Sequence, residues 1–200
     1  VYKINAGSIM VDGKPQQFNG TLDAQNAGIA TVYQEVNLCT NLSVGENVML
    51  GHEKRGPFGI DWKKTHEAAK KYLAQMGLES IDPHTPLSSI SIAMQQLVAI
   101  ARAMVINAKV LILDEPTNHL DIVSKEILEQ ALKHYTGTVL YVSHDRYFIN
   151  QTATRILELT NQAMVNYIGN YDYYLEKKEE PTTKAKEETT TAKKEEPTTK

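Results

Sequence analysis

The chain has 200 residues, of which 42% are hydrophobic, and its formal net charge is −3. This length and apolar share suit one globular domain, and the weak acidity gives no electrostatic reason to expect direct DNA binding. One cysteine, Cys39, excludes an internal disulfide, and no apolar run approaches the roughly 18 residues of a membrane span, so we expect a cytoplasmic protein.

The first part of the chain predicts short elements that lead into a buried strand. Residues 7–14 alternate and then turn at Asp12-Gly13, which is a hairpin signal. Leu22–Asn26 is a candidate short helix, and Ile29–Tyr33 is a candidate core strand that ends at Gln34. An amide at a strand end can contact Mg²⁺ or an attacking water, although a surface glutamine is the simpler alternative.

Two amphipathic helices are predicted in the middle of the chain. Asp61 is placed to cap a helix through Gln75, which Gly77 ends. Ser91 heads the second helix, and its hydroxyl with the free N–H groups of the first turn favours an anion. The alternative for Ser91 is a plain helix cap.

Two adjacent carboxylates follow the most apolar stretch of the chain. Val110–Leu113 is too short for a helix and is typical of a parallel strand buried on both faces. Beyond the carboxyl end of such a strand lies the ligand crevice of a parallel sheet. There, Asp114 can hold Mg²⁺ through oxygen, and Glu115 can orient or deprotonate a water. An acidic turn without a ligand is the alternative.

The remaining elements are predicted to bring a histidine to the same crevice and to end in a pair of strands. Asp121 can cap a helix, and the apolar Thr138–Val142 predicts a strand that delivers His144 beside Glu115. We do not expect a Ser143–His144–Asp145 hydrolase triad, because neighbours in sequence cannot easily point at one another and no nucleophile-elbow pattern is present. Thr154–Leu159 and Ala163–Tyr167 predict a closing strand pair. The tyrosines that follow favour a packed edge over a nucleic-acid platform, since no basic patch accompanies them.

The last residues, 176–200, contain only Lys, Glu, Thr, Pro and Ala. Without large apolar side chains they cannot offset the entropy cost of ordering, so we expect a disordered tail.

Four motifs, in order, resemble those of ATP-binding-cassette (ABC) ATPases. VYQE resembles the Q-loop, the helix from Ser91 the signature, LILDEPT with NHLD the Walker B motif and D-loop, and VSHD the switch-histidine motif. The resemblance implies an α/β fold of the P-loop NTPase type over residues 1–175, with a small helical subdomain at about 60–105. It also implies ATP and Mg²⁺ as cofactors. It implies a metal site at Asp114 and Gln34, catalytic roles for Glu115 and His144, and cofactor-binding roles for Gln34, Ser91 and Asp121.

Within that family the chain resembles two branches. Residues 1 to about 117 resemble a sugar-importer ATP-binding subunit, and residues of about 118–178 resemble the ABC-F family of soluble, ribosome-acting ATPases. The implied partners are a second cassette in a head-to-tail dimer and either membrane permease subunits, at the inner face of the membrane, or the ribosome. A non-enzymatic chimeric remnant is the third alternative.

The phosphate-binding loop of the family, G-x-x-x-x-G-K-[ST], does not occur in these residues. The only Gly-Lys pair is Gly13-Lys14, which Pro15 follows where the loop needs Ser or Thr. We therefore expect a domain truncated at its N-terminus, with impaired ATP hydrolysis in this chain alone.

At the signature helix, Ile92, Ala93 and Met94 replace the family's two glycines and glutamine, and the bulkier side chains hinder backbone approach to phosphate.

Overall fold

The computed structural model describes residues 7–33, 37–106 and 108–179. The chain divides into two compact units between His144 and Asp145. Within the described ranges, no helix is long and apolar enough to cross a membrane.

The first unit contains most of the regular elements. In chain order they are β1 (Ile9–Val11), β2 (Lys14–Gln16), α1 (Thr21–Asn26), β3 (Ile29–Val32), α2 (Val44–Met49), β4 (Arg55–Gly56), β5 (Gly59–Ile60), α3 (Trp62–Gln75), α4 (Ile92–Val105), β6 (Val110–Asp114), α5 (Ile122–His134) and β7 (Thr138–Val142).

A parallel sheet of three strands, in the order β3-β6-β7, is the centre of this unit. Strand β6 lies in the middle, with Leu111 and Leu113 only 1% exposed. The register pairs Val32 with Leu113 on one side and Asp114 with Val142 on the other. All three predicted core strands are confirmed, and their carboxyl ends lie at one edge of the sheet.

The predicted hairpin is also confirmed. Strands β1 and β2 pair antiparallel, and Asp12 and Gly13 turn between them with φ of 50° and 71°. This left-handed pair is the conformation for which Asp-Gly is favoured in two-residue turns. An ion pair between the exposed side chains of Asp12 and Lys109 joins this turn to the residue before β6.

Helix α2 was not predicted from the sequence. Ser43 and Glu46 form a reciprocal capping box at its start. Its buried Asn47 is 0% exposed, accepts from the Cys39 N–H at 2.8 Å and donates to the Cys39 carbonyl oxygen at 2.9 Å. Gly45 has no room for a side chain, since an added Cβ would lie 2.6 Å from the His66 ring. Helix α2 therefore packs closely against the segments around it.

Helices α3 and α4 complete the helical part of the unit. Asp61 caps α3 by accepting from the Lys64 N–H, and Gly77 follows its end at φ 70°, both as predicted. Helix α4 contacts α2, α3, α5 and β3. Its Leu97 and Ile100 are at most 1% exposed, and burial of each such side chain contributes about 1.5–3 kcal/mol.

The second unit contains α6 (Arg146–Thr152), β8 (Ile156–Thr160) and β9 (Ala163–Tyr167), followed by helical residues 171–179. The predicted strand pair is confirmed as an antiparallel hairpin, although it begins at Ile156 instead of Thr154. Tyr167 and Tyr174 stack edge to face at 5.0 Å, and both donate to the Glu158 carboxylate.

Lys178 also pairs with Glu158, which anchors the start of the segment predicted as tail. The hydrogen bond to Glu158, and then that to Tyr174, raise the pKa of Lys178. Residues 180–200 lie outside the described residues.

The buried amide of Asn47 gives a stability prediction. Asn47→Ala leaves the Cys39 N–H and carbonyl without their partner, so we expect a loss of about 2–3 kcal/mol in the free energy of unfolding. Urea unfolding followed by the fluorescence of Trp62, the only tryptophan, measures it in the first unit. The matched control is Asn26→Ala, an exposed asparagine, which should change stability by less than about 0.5 kcal/mol. Equal effects of the two variants would contradict the structural role of Asn47.

Candidate functional site

The carboxyl edge of the parallel sheet brings Glu115, directly after β6, into contact with His144, which follows β7. Asp114 is paired with Val142 in register, so the next residues of both strands leave the sheet side by side. The Glu115 N–H donates to the Val142 carbonyl at 2.9 Å, which ties the two loops at their start. This backbone bond determines where the following side chains emerge.

Glu115 and His144 contact each other through two pairs of atoms. The His144 backbone N–H donates to Glu115 Oε2 at 3.2 Å, and His144 Nε2 lies 3.3 Å from Glu115 Oε1. The Glu115 side chain is 12% exposed, whereas that of His144 is 96% exposed. The Glu115 carboxylate is therefore largely shielded, and the His144 imidazole lies on its solvent side.

Glu115 adopts a left-handed backbone conformation, with φ of 45°. For a residue with a Cβ this costs of order 1 kcal/mol or more, and such outliers cluster at functional sites. His119, four residues further on, is also left-handed at φ 64°. The loop between them is therefore bent at both ends.

Asp114 is exposed at the end of β6, and no hydrogen bond or ion pair joins its carboxylate to another residue of the described ranges. No group of three or more His, Cys, Asp or Glu side chains in those ranges could hold a metal ion. A single available carboxylate fits Mg²⁺ better than other metals, because proteins bind Mg²⁺ through one or two carboxylates together with substrate phosphates.

Gln34, the third predicted contact to metal and water, lies outside the described residues, and its role stays a prediction. Strand β3, which precedes it, ends at Val32 beside β6.

Ser91 is the N-cap of α4, where its hydroxyl accepts from the Met94 N–H at 3.2 Å. Both Ser91 and Ile92 are exposed, the latter by 61%. Among the described residues, no hydrogen bond joins Ser91 to the Glu115–His144 pair. Ser91 therefore caps α4, which is compatible with both interpretations, and its role toward nucleotide stays a prediction.

Asp121 caps α5 by accepting from the Ser124 N–H at 2.7 Å. The side-chain hydroxyl of Ser124, and then its N–H, lower the pKa of Asp121. The buried face of α5 holds Leu128 and Ala131, but also Ser124 and Glu129. Ile127 and Leu132 are only half-buried.

Sequence reasoning missed a second contact between the two loops. The hydroxyls of Thr117 and Ser143 lie 3.2 Å apart, and Thr117 is only 6% exposed. In the sequence, the signal for this contact is a residue with a hydroxyl group shortly after the end of each of two neighbouring strands.

Comparisons with known proteins agree with this fold. The protein-family model for "ABC transporter" matches residues 1–118. The chain is 72% identical over 184 residues to the fructose import ATP-binding protein FruK of Bifidobacterium longum (strain NCC 2705), which covers 90% of this chain and 34% of that protein. It is 52% identical over 108 residues to the ATP-binding protein Uup of Escherichia coli (strain K12), covering 54% of this chain and 16% of that protein.

A solved structure of the ATP-binding cassette MJ0796, a dimer in a post-hydrolysis state bound to ADP and Pi, has a TM-score of 0.67. It is 26% identical, and the match covers 84% of this chain and 75% of that one. The chain spans about a third of the length of FruK and about a sixth of that of Uup.

The Asp121 cap predicts a pH dependence. Because the folded-state pKa is lowered, the cap stabilises α5 fully above the ordinary aspartate pKa of about 4, and this contribution is lost as pH falls through the lower folded value. Asn caps helices about as well as Asp but does not titrate. We therefore expect Asp121→Asn to lose less stability below about pH 4 than the parent chain, measured as thermal unfolding by circular dichroism. If the unfolding temperatures of the variant and the parent chain fell equally as the pH is lowered, the stabilising role of the Asp121 cap would be contradicted.

Proposed function

The chain belongs to the ABC transporter family, and from that premise we propose that it is the ATP-hydrolysing part of a carbohydrate importer. The 72% identity to a fructose import ATP-binding protein supports the transport assignment. The observation that carries the proposed reaction is the contact of Glu115 with His144 beside the available carboxylate of Asp114.

In the proposed mechanism, these residues position a water and the terminal phosphate of ATP. Glu115 orients the water and accepts its proton as the oxygen attacks the γ-phosphorus, and the bond to ADP breaks on the opposite side. His144 donates to the γ-phosphate from the solvent side of the carboxylate, where its exposed imidazole lies. Asp114 is the ligand for Mg²⁺, which neutralises charge on the phosphates when bound.

The other predicted residues act between subunits in this proposal. Ser91, at the N-terminus of α4, faces the nucleotide of a second cassette in a head-to-tail dimer, and Asp121 lies at the dimer seam. Helix N-termini favour phosphate through free N–H groups and the helix dipole, which supports the role of Ser91. Gln34 senses Mg²⁺ or water and couples the site to the partner.

For this polypeptide alone we propose weak ATP binding and negligible turnover. No G-x-x-x-x-G-K-[ST] loop occurs in its 200 residues, so neither the cradle of backbone N–H groups nor its lysine is present to hold the phosphates.

The proposed location is cytoplasmic, at the inner face of the membrane, where residues of about 35–90 contact permease subunits.

A second candidate is an ABC-F type ATPase that acts on the ribosome. The 52% identity to Uup over 108 residues favours it, as does the resemblance of NHLDI and SHDRYFIN to that family. Tagged chain that co-purifies with a permease supports import, whereas co-sedimentation with ribosomes supports the second candidate. Failure of both, with no nucleotide binding at any Mg²⁺ concentration, would favour a non-enzymatic remnant.

Nucleotide binding tests the metal role. Titration with a fluorescent ATP analogue should show weak binding that Mg²⁺ strengthens, and Asp114→Asn should remove the Mg²⁺ effect because it removes the available carboxylate. The matched control is Glu126→Gln, an exposed carboxylate on α5, which should retain the Mg²⁺ effect. Turnover that equals that of an intact cassette and is abolished by Glu115→Gln would contradict the proposed impairment.

A further inference from the structure

The loops after β6 and β7 are joined by three contacts that differ in their exposure to water. Two of these contacts involve Glu115: its N–H donates to the Val142 carbonyl, and its carboxylate contacts His144. The third joins Thr117 Oγ1 to Ser143 Oγ at 3.2 Å. Thr117 is 6% exposed, whereas the His144 side chain is 96% exposed. The hydroxyl contact is therefore better shielded from water than the contact of Glu115 with His144.

The contact between Glu115 and His144 is too exposed to hold the loop by itself. Ion pairs with one partner in solvent contribute about 0–1 kcal/mol. The left-handed backbone at Glu115 costs a similar amount or more. The backbone bond from Glu115 to Val142 offsets part of that cost, and an added restraint on the loop would help to keep the carboxylate turned toward His144.

Thr117 is placed to supply such a restraint. It lies between the two left-handed residues Glu115 and His119, and its carbonyl accepts from the Leu120 N–H at 3.2 Å. The Asn118 N–H returns to the Glu115 carbonyl at 3.1 Å, so residues 115–120 form one hydrogen-bonded turn. A restraint on the Thr117 side chain therefore restrains the backbone of Glu115.

We propose that the Thr117–Ser143 hydroxyl pair is a clamp that positions Glu115 against His144. Both members are positioning residues, because each acts through the loop and neither is required to touch substrate. The consequence for ATP hydrolysis rests on the function proposed above, whereas the clamp itself does not. A hydrogen bond contributes more where it is shielded from water, and the contact of these two hydroxyls is part-buried.

The test uses the whole chain and nuclear magnetic resonance of the His144 backbone amide, which donates to Glu115. Thr117→Val preserves the shape of the side chain and removes the hydroxyl. We expect the His144 amide proton to move upfield as its bond to the carboxylate lengthens, and to exchange with solvent about fivefold faster. Thr117→Ser restores a hydroxyl and should return both values toward those of the parent chain.

Thr65→Val is the matched control for general destabilisation. Thr65 is 0% exposed, and its hydroxyl donates to the Asp61 carbonyl at 2.8 Å in the helical part of the same unit. This variant should lower the unfolding temperature and leave the His144 amide unchanged.

An unchanged His144 amide in Thr117→Val, or an equal change in Thr65→Val, overturns the clamp. Nucleotide binding by the parent chain is measured separately. If the parent chain fails to bind Mg²⁺ and ATP but Thr117→Val still shifts His144, the proposed function fails and the clamp stands.

Discussion

The parallel register between β6 and β7 is the constraint on which the candidate site depends. Because Asp114 pairs with Val142, the chain that follows each strand emerges at the same edge, and the Glu115 N–H reaches the Val142 carbonyl. A shift of one residue would turn Glu115 or His144 to the opposite face of the sheet. The buried Leu111 and Leu113 prevent such a shift, since it would expose them to water. Core packing thus determines the geometry of the polar site.

The candidate site consists of one largely shielded carboxylate and two exposed side chains. Glu115 is nearly buried and fixed by backbone contacts, whereas Asp114 and His144 are exposed and available to a ligand. This division suits the proposed reaction, in which a preorganised carboxylate faces a water while the exposed groups adapt to metal and phosphate. The helical part, which contains the buried Asn47, contacts β3 and α5 through α4 and presents Ser91 at the start of that helix.

Much of the fold follows from local signals in the sequence. Apolar runs predicted the three core strands, Asp12-Gly13 predicted the first turn, and Asp61 and Asp121 predicted two helix starts, because each signal acts over a few residues. Helix α2 was missed although Ser43 and Glu46 have capping-box spacing, since six residues show no helical periodicity. The convergence of Glu115 and His144 was predictable from parallel strand ends. The Thr117–Ser143 contact was not, because hydroxyl residues in loops are common and their pairing depends on register.

The central claim is that Asp114, Glu115 and His144 share one pocket for Mg²⁺ and triphosphate. Paramagnetic broadening by Mn²⁺ with ATP tests it most directly, because the metal broadens only nearby resonances and detects weak binding. We predict that the backbone amides of these three residues broaden together, while that of Thr65 in α3 stays sharp. Broadening at Asp114 with a sharp His144 resonance, or no broadening at the three residues, would contradict a shared pocket.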